Sequence, residues 1–293
     1  LPAGNAFGRA IHAVAKSDVT KSGTFSVFAP PDSPHPVFVE LWLPSGTNRS
    51  KVCVTVTSPG GEESIQRSGP GHAAGLGRRF GIVFPYKAPQ GMHGTMLLIA
   101  IQPTRQSEQT EGPRVDAAPA GVWKIKIESE CTEINAWIER DDVAGRMPRA
   151  QQSRFVDDGA VNVVIDDDMT LSSIANAKSD RLHIVGSIYQ FQRSISSPKP
   201  SIQDEASAYS ASGPARSPSS RSYGPDWSAI SDVSRSLTGV ICEGARSGDK
   251  YRSGGTSVAA AIAARYLISQ LNAGGGVFTP KPTQSKLLGE RIP

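Results

Sequence analysis

A serine lies at the start of a run of small residues in the segment YRSGGTSVAAAIAARYL, residues 251 to 267. Gly254 and Gly255 permit backbone conformations and close approaches that a side chain would forbid. The alanines that follow favour a helix that packs tightly inside a core. Ser257 would then lie in the first turn, where unpaired N–H groups and the positive end of the helix dipole favour negative charge. A nucleophile for acyl transfer requires this geometry.

The same spacing also fits a structural interpretation. Thr256 or Ser257 could be an ordinary N-cap on a buried helix, because both residue types are favoured at that position. The residues of this segment alone leave both interpretations open.

Two segments at opposite ends of the chain resemble motifs of the subtilisin-like serine proteases. GGTSVAAA resembles their nucleophile motif, G-T-S-x-A-A-P, with Ala261 where the family usually has proline. LPAGNAFG, residues 1 to 8, resembles their A-A-G-N segment, in which an asparagine amide donates to the oxyanion. The resemblance implies that Ser257 is the nucleophile and that Asn5 contributes to the oxyanion hole.

Two further segments follow the order of the same family. Residues 170 to 187, TLSSIANAKSDRLHIVGS, resemble its helix followed by a core strand that ends in V-G-A. Residues 209 to 229, YSASGPARSPSSRSYGPDWSA, resemble its F-S-S-x-G-P loop and a later P-D pair, although the A-P-G that normally follows is missing. We expect residues 194 to 223 to form an irregular surface loop, because they are rich in Ser and Pro.

The catalytic Asp and His of this family precede the oxyanion Asn. We therefore expect the sequence to be the C-terminal part of a longer protease, inactive by itself. Two local matches occur in the wrong order, MHGTMLLIA around His93 and VNVVIDDD ending at Asp166–Asp168. We expect His93 to lie in a turn before a strand over 95–101 and the aspartates to form a solvated acidic turn, since motif matches alone do not establish structural context.

The role of general base is not assigned to any of the remaining histidines, which are His12, His35, His72 and His183. For His183 we expect a partly buried, hydrogen-bonded structural role in a strand.

Short β-branched or aromatic runs separated by Gly, Pro and Ser clusters occupy residues 24 to 128, for example GVWKIKIE at 121–128. Regular short strands with turn residues between them predict a β-sandwich or jelly roll. In GVWKIKIE the alternation places Trp123, Ile125 and Ile127 on one face. We therefore predict an α/β fold: a subtilisin-like parallel-sheet catalytic domain, incomplete at its N-terminus, with an inserted all-β module. The expected boundaries are 1–16 for the oxyanion segment, 17–130 for the module and 131–293 for the rest of the catalytic domain.

The amino-acid composition argues against a few classes of function. The net charge of +4 is small for 293 residues, and the basic residues are scattered, which gives little support to nucleic-acid binding. No apolar run is long enough to span a membrane. Cys53, Cys131 and Cys242 are not spaced as zinc ligands. We expect no cofactor for the chemistry, and a structural calcium ion is conceivable but cannot be assigned to residues.

The resemblance implies a serine endopeptidase with a polypeptide substrate, secreted or exposed at the cell surface. An alternative is a noncatalytic relative whose β-module binds a protein or carbohydrate partner. The intact Gly-Thr-Ser and Ala-Gly-Asn segments favour the protease, because a noncatalytic protein has no chemical reason to keep both oxyanion elements.

Overall fold

The computed structural model describes residues 1–16, 22–61, 63–67, 74–75, 82–87, 94–106, 116–141, 151–160, 162–172, 182–189, 205–215, 223–274 and 285–292. These residues form strands, one 3-10 helix (Arg49–Lys51) and one α-helix, so the described chain is mostly β. The chain divides into two compact units. Residues 9–166 are termed the β unit, and residues 1–8 with 167–293 are termed the serine unit.

The β unit consists of two antiparallel sheets. Its strands, in chain order, are β1 (His12–Lys16), β2 (Ser22–Ala29), β3 (Val37–Leu43), β4 (Cys53–Thr57), β5 (Glu63–Arg67), β6 (Ala74–Gly75), β7 (Ile82–Lys87), β8 (Thr95–Ile101), β9 (Gly121–Glu128), β10 (Glu133–Ile138), β11 (Arg154–Phe155) and β12 (Val163–Ile165). One sheet has the order β12-β1-β10-β3-β8-β7-β6, and the other has the order β11-β2-β9-β4-β5.

Period-two alternation decides which face of each sheet is buried. Trp123, Ile125 and Ile127 of β9 are buried while Lys124 and Lys126 point to solvent, as predicted. The two sheets touch where Gly23 of β2 meets Ala15 of β1, because a Cβ added at Gly23 would lie 2.6 Å from the Ala15 Cβ. The strand predicted at 95–101 is confirmed as β8, whereas His93 lies outside the described residues, as does His72.

The observed β unit is longer than the predicted module at both ends. The chain enters it at Arg9 rather than at 17, because β1 pairs with β10 and β12 in the larger sheet. The unit also continues beyond 130 to Asp166, since β10, β11 and β12 all pair with its strands. The segment EINAWI, residues 133 to 138, was expected to lie near the start of the rest of the catalytic domain, which was placed at 131–293. It forms β10 instead, and its apolar residues pack in this sheet.

The serine unit combines a small mixed sheet, a hairpin and the helix. Its strands are β13 (Val185–Tyr189), β14 (Glu205–Ala206), β15 (Trp227–Asp232), β16 (Val240–Glu243), β17 (Lys250–Ser253) and β18 (Glu290–Arg291). The sheet order is β14-β13-β15-β18, with β13 parallel to β15 and β15 parallel to β18, and β16 pairs with β17 as a separate hairpin. Pro2 forms a parallel bridge to Val185. The described residues therefore contain parallel pairs, but a larger parallel catalytic core is not evident in them.

The helix α1 (Thr256–Asn272) is buried along one face only. Thr256, Ala259 and Ala263 are buried, whereas Ala261 and Ala264 are exposed, so the expectation of a helix surrounded by core is wrong. The spacing of three and four residues is that of one helix face. The buried alanines pack against Trp227 and Ala229 of β15 together with Val185 and Ile292. Small side chains permit this close approach between the helix and the sheet.

Two further expectations for the serine unit require correction. The strand expected to end in V-G begins there, since β13 starts at Val185. The described part of the expected surface loop is largely buried, including Ser207, Ser210 and Ser212. These hydroxyls are tolerated in the interior because they hydrogen-bond to the hydroxyl or backbone N–H of Ser187 and to the carboxylates of Asp168 and Asp232.

Candidate functional site

The turn before α1 is shaped by glycine. Gly255 is the N-cap residue, with φ 107° and ψ 160°, and it makes no side-chain capping bond. This backbone region is essentially restricted to glycine. Thr256 is therefore the first helical residue and Ser257 the second, so neither is the N-cap of the helix.

Asn5 and Thr256 are joined by hydrogen bonds. Asn5 Oδ1 accepts the Thr256 backbone N–H at 3.0 Å and the Thr256 hydroxyl at 2.9 Å. The Thr256 hydroxyl oxygen in turn accepts the Gly4 N–H at 3.1 Å. Because a backbone N–H can only donate, the amide oxygen of Asn5 must face Thr256, and its Nδ2 group is left on the other side with two donor hydrogens.

The first-turn amides of α1 differ in their acceptors. The Thr256 N–H donates to Asn5, and the Val258 and Ala259 N–H groups both donate to the Gly255 carbonyl at 3.0 and 3.2 Å. The Ser257 N–H has no acceptor within the part of the chain that the structure describes. No acidic residue lies in the first turn, so the positive end of the helix dipole is not neutralised there.

Ser257 itself is exposed, whereas Thr256 beside it is 1% exposed. An exposed hydroxyl next to a free helix amide can reach a substrate carbonyl, and the amide can receive the resulting negative oxygen. Asn5 Nδ2 lies close to Gly255, two residues before Ser257, since a Cβ placed on Gly255 would be 3.0 Å from it. The structure thus brings both predicted site residues to one junction, with glycine required for the close approach.

A buried polar cluster lies behind this junction. The Tyr209 hydroxyl accepts the Gly255 N–H at 2.8 Å and lies 2.5 Å from Oδ2 of Asp232. Neither residue was predicted to belong to the site, and the anchoring role of Thr256 was not predicted either. Thr256 lies inside the nucleophile motif and Tyr209 opens the segment 209–229, but neither motif indicates these hydrogen bonds. Asp232 lies in no motif.

The histidines do not supply a base to Ser257 in the described structure. His12 lies in β1 of the β unit, where its Nε2 is 3.0 Å from Asn135 Oδ1 and its ring stacks on Trp137. The serine unit contains one histidine, His183, whose ring packs edge-on against Trp227 and is not bonded to Ser257. His183 is partly buried, as expected. It precedes β13, and within the described residues its Nδ1 has no hydrogen-bond partner, contrary to the expected structural bond.

The aspartates of the second local match have structural partners. Asp167 is exposed, and its carboxylate accepts the Gly8 N–H at 3.1 Å. Asp168 is half-buried, accepts a hydrogen bond from Ser212 at 3.0 Å, and pairs with Lys286. The expectation of a solvated turn therefore describes Asp167 but not Asp168.

Other possible functional groups were sought in the same residues. No group of three or more His, Cys, Asp or Glu in the described ranges could hold a metal ion. All three cysteines, Cys53, Cys131 and Cys242, are free. Among the described residues, no helix has the combined length and apolar character that crossing a membrane requires.

Comparison with known proteins gives a similarity to a solved structure. No protein-family model matches the chain, and no curated protein matches it significantly. The fold is similar to the structure of the Clostridium perfringens CspB protease, with a TM-score of 0.63 and 16% sequence identity. The match covers 99% of this chain and 57% of that protease chain. At this identity the similarity shows the fold alone, and the chain spans a little over half of the length of that protease chain.

Proposed function

We propose that this chain carries the nucleophile and the oxyanion hole of a subtilisin-like serine endopeptidase. In this proposal the serine unit is the C-terminal part of a parallel-sheet catalytic domain, and the β unit is an insertion within it. The observation that carries the proposal is the hydrogen-bonded junction between Asn5 and Thr256, which sets an amide donor beside an exposed serine at a helix start.

The proposed chemistry is acyl transfer. Ser257 Oγ attacks the scissile carbonyl carbon of a polypeptide, and its proton passes to a general base. The carbonyl oxygen becomes negative and is bound by the Ser257 N–H and by Asn5 Nδ2. Collapse of the tetrahedral intermediate breaks the C–N bond, the protonated amine leaves, and water then hydrolyses the ester on Ser257. No metal or organic cofactor takes part in these steps.

In this proposal the general base is not among the residues that the structure describes. Ser257 Oγ has no hydrogen-bond partner among them, and the family resemblance assigns the His and its orienting Asp to positions that precede the oxyanion Asn.

A serine-directed fluorophosphonate probe tests the proposal. The 293-residue chain and the same chain extended to the start of its open reading frame are labelled side by side, each with a Ser257→Ala control. We expect labelling of the extended protein only, lost in the control. Labelling of the shorter chain, lost in its control, would keep Ser257 as nucleophile and place the base within these residues. Absence of Ser257-dependent labelling in both proteins would refute the protease function and favour a noncatalytic binding protein.

A further inference from the structure

Asp232 is a buried carboxylate at the C-terminal end of β15, with 2% of its surface exposed. Its Oδ2 accepts hydrogen bonds from Ser207 Oγ and from the Tyr209 hydroxyl, both at 2.5 Å. Its Oδ1 accepts the Gly239 N–H at 2.6 Å. A carboxylate in this environment is stabilised by these donors alone, because no cation is bonded to it in the described structure.

The hydroxyl of Tyr209 connects this carboxylate to the turn before the helix. A phenol has one hydrogen to donate, and the 2.5 Å approach to Asp232 assigns it to the carboxylate. The phenol oxygen is then free to accept the Gly255 N–H at 2.8 Å. The hydroxyls of Ser187 and Ser231 lie 3.1 and 3.0 Å from the same oxygen and complete its surroundings.

Both polar groups of Gly255 are therefore held. Its N–H is fixed by Tyr209, and its C=O accepts two amides of the first turn of α1. Asp232 also borders the preceding residue, since a Cβ on Gly254 would lie 3.0 Å from Asp232 Oδ1. The orientation of this peptide determines where the helix starts, and Ser257 follows Gly255 by two positions.

We propose that Tyr209, oriented by Asp232, is a positioning residue for Ser257. It acts through the Gly255 amide and has no bond to Ser257 or Asn5. Loss of its hydroxyl should displace the nucleophile and its N–H donor together. The rate of attack should then fall while the binding of a substrate or probe is little changed. This inference rests on the proposed function of Ser257.

The kinetic test uses whichever form of the protein shows Ser257-dependent labelling. Tyr209→Phe is compared with wild type for the maximal inactivation rate constant and the half-saturating concentration of a peptidyl phosphonate. Ser207→Ala is the matched control, because it removes another donor from the same Asp232 oxygen and Ser207 makes no bond to Gly255. We expect the rate constant to fall roughly 10- to 100-fold in Tyr209→Phe, with the half-saturating concentration within about twofold. Ser207→Ala should keep a rate constant close to that of wild type. Equal losses in the two variants, or none in Tyr209→Phe, would overturn the positioning role.

Amide hydrogen exchange in the wild-type protein gives a second test that needs neither activity nor a variant. The Gly255 amide should be protected by its bond to Tyr209, whereas the Ser257 amide should exchange much faster. Exchange of Gly255 as fast as that of Ser257 would overturn the inference even if no labelling occurs. Protection of Gly255 without any labelling would retain the anchored turn, refute the protease function and thereby refute positioning for catalysis. The two proposals can thus fail separately.

Discussion

Oδ1 of Asn5 accepts two hydrogen bonds from Thr256, a residue 251 positions later in the chain. One comes from the backbone N–H and one from the hydroxyl, so the side-chain amide of Asn5 is held in a single orientation. Its NH₂ group makes no bond to Thr256 and lies close to Gly255, where an added Cβ would be 3.0 Å from Nδ2. Thr256 thus orients the proposed oxyanion donor, while its neighbour Ser257 supplies the proposed nucleophile.

Substitution of Asn5 should separate its two roles. Asn5→Ala removes both the anchor for Thr256 and the Nδ2 donor, and we expect turnover of the active protein to fall roughly 100- to 1,000-fold. Asn5→Asp keeps an oxygen that can accept both Thr256 bonds but replaces the donor by negative charge. We expect Asn5→Asp to unfold at nearly the wild-type urea concentration and to lose at least as much activity as Asn5→Ala.

The measurements are steady-state turnover of a peptide substrate and urea unfolding of the same samples. Full activity in Asn5→Asp would contradict the oxyanion role. Normal activity in Asn5→Ala would contradict it as well, because no side-chain donor would then be needed.

The strands of the β unit were largely predictable because their signal is local. Alternation in β9 reports which side chains meet the core, and each strand carries that information in its own residues. The ends of the unit were not predictable in this way. EINAWI reads as a buried strand wherever it pairs, and only its register with β1 and β3 shows that it belongs to this sheet.

Within the candidate site, only residues that belong to a recognised sequence motif were predicted. Asn5 and Ser257 follow from resemblance, and the structure brings their segments together. The roles of Tyr209 and Asp232 could not be found from the sequence, although Tyr209 lies in the segment 209–229, because these roles depend on hydrogen bonds between segments separated by more than 20 residues. The serine-rich segment containing Ser207 was misjudged as surface for the same reason. Its polarity is satisfied inside the fold by partners that composition does not reveal.

Gly255 should tolerate no side chain. Gly255→Ala forces a residue with a Cβ into φ 107°, ψ 160° and places that atom 3.0 Å from Asn5 Nδ2. We expect a loss of about 1 to 3 kcal/mol in the free energy of unfolding from the backbone alone. Labelling of Ser257 should also fall, because Asn5 must move.

Gly248→Ala is the control for backbone strain. Gly248 also has a positive φ, +85°, but a Cβ there would meet no described atom within 4 Å. We expect Gly248→Ala to lower the free energy of unfolding by about 1 kcal/mol and to leave the labelling of Ser257 unchanged. Similar labelling by the two variants would show that the contact with Asn5 is unimportant.

The buried face of β9 should dominate the stability of the β unit. Ile125 is fully buried, and Ile125→Ala should lower the free energy of unfolding by about 2 to 5 kcal/mol, because it loses apolar contacts and leaves a cavity. Val122 lies in the same strand but is 37% exposed, so Val122→Ala should cost less than about 1 kcal/mol. Denaturant unfolding monitored by tryptophan fluorescence measures both. Equal costs would mean that the assigned faces of β9 are incorrect.

Acid should weaken the β unit partly through Asp158. The hydrogen bond from Ser26 Oγ at 2.7 Å lowers the pKa of Asp158, and the Lys124 ammonium 3.6 Å away acts in the same direction. Because the folded pKa lies below the unfolded value, the resulting stabilisation is present above the unfolded pKa and is lost as pH falls through the folded pKa. Ser26→Ala should therefore destabilise the protein more at about pH 7 than at about pH 3 in urea unfolding. In an Asp158→Asn background, where no carboxylate titrates, the cost of Ser26→Ala should be the same at both pH values. A cost independent of pH when Asp158 is intact would rule out this hydrogen bond as the cause of the lowered pKa.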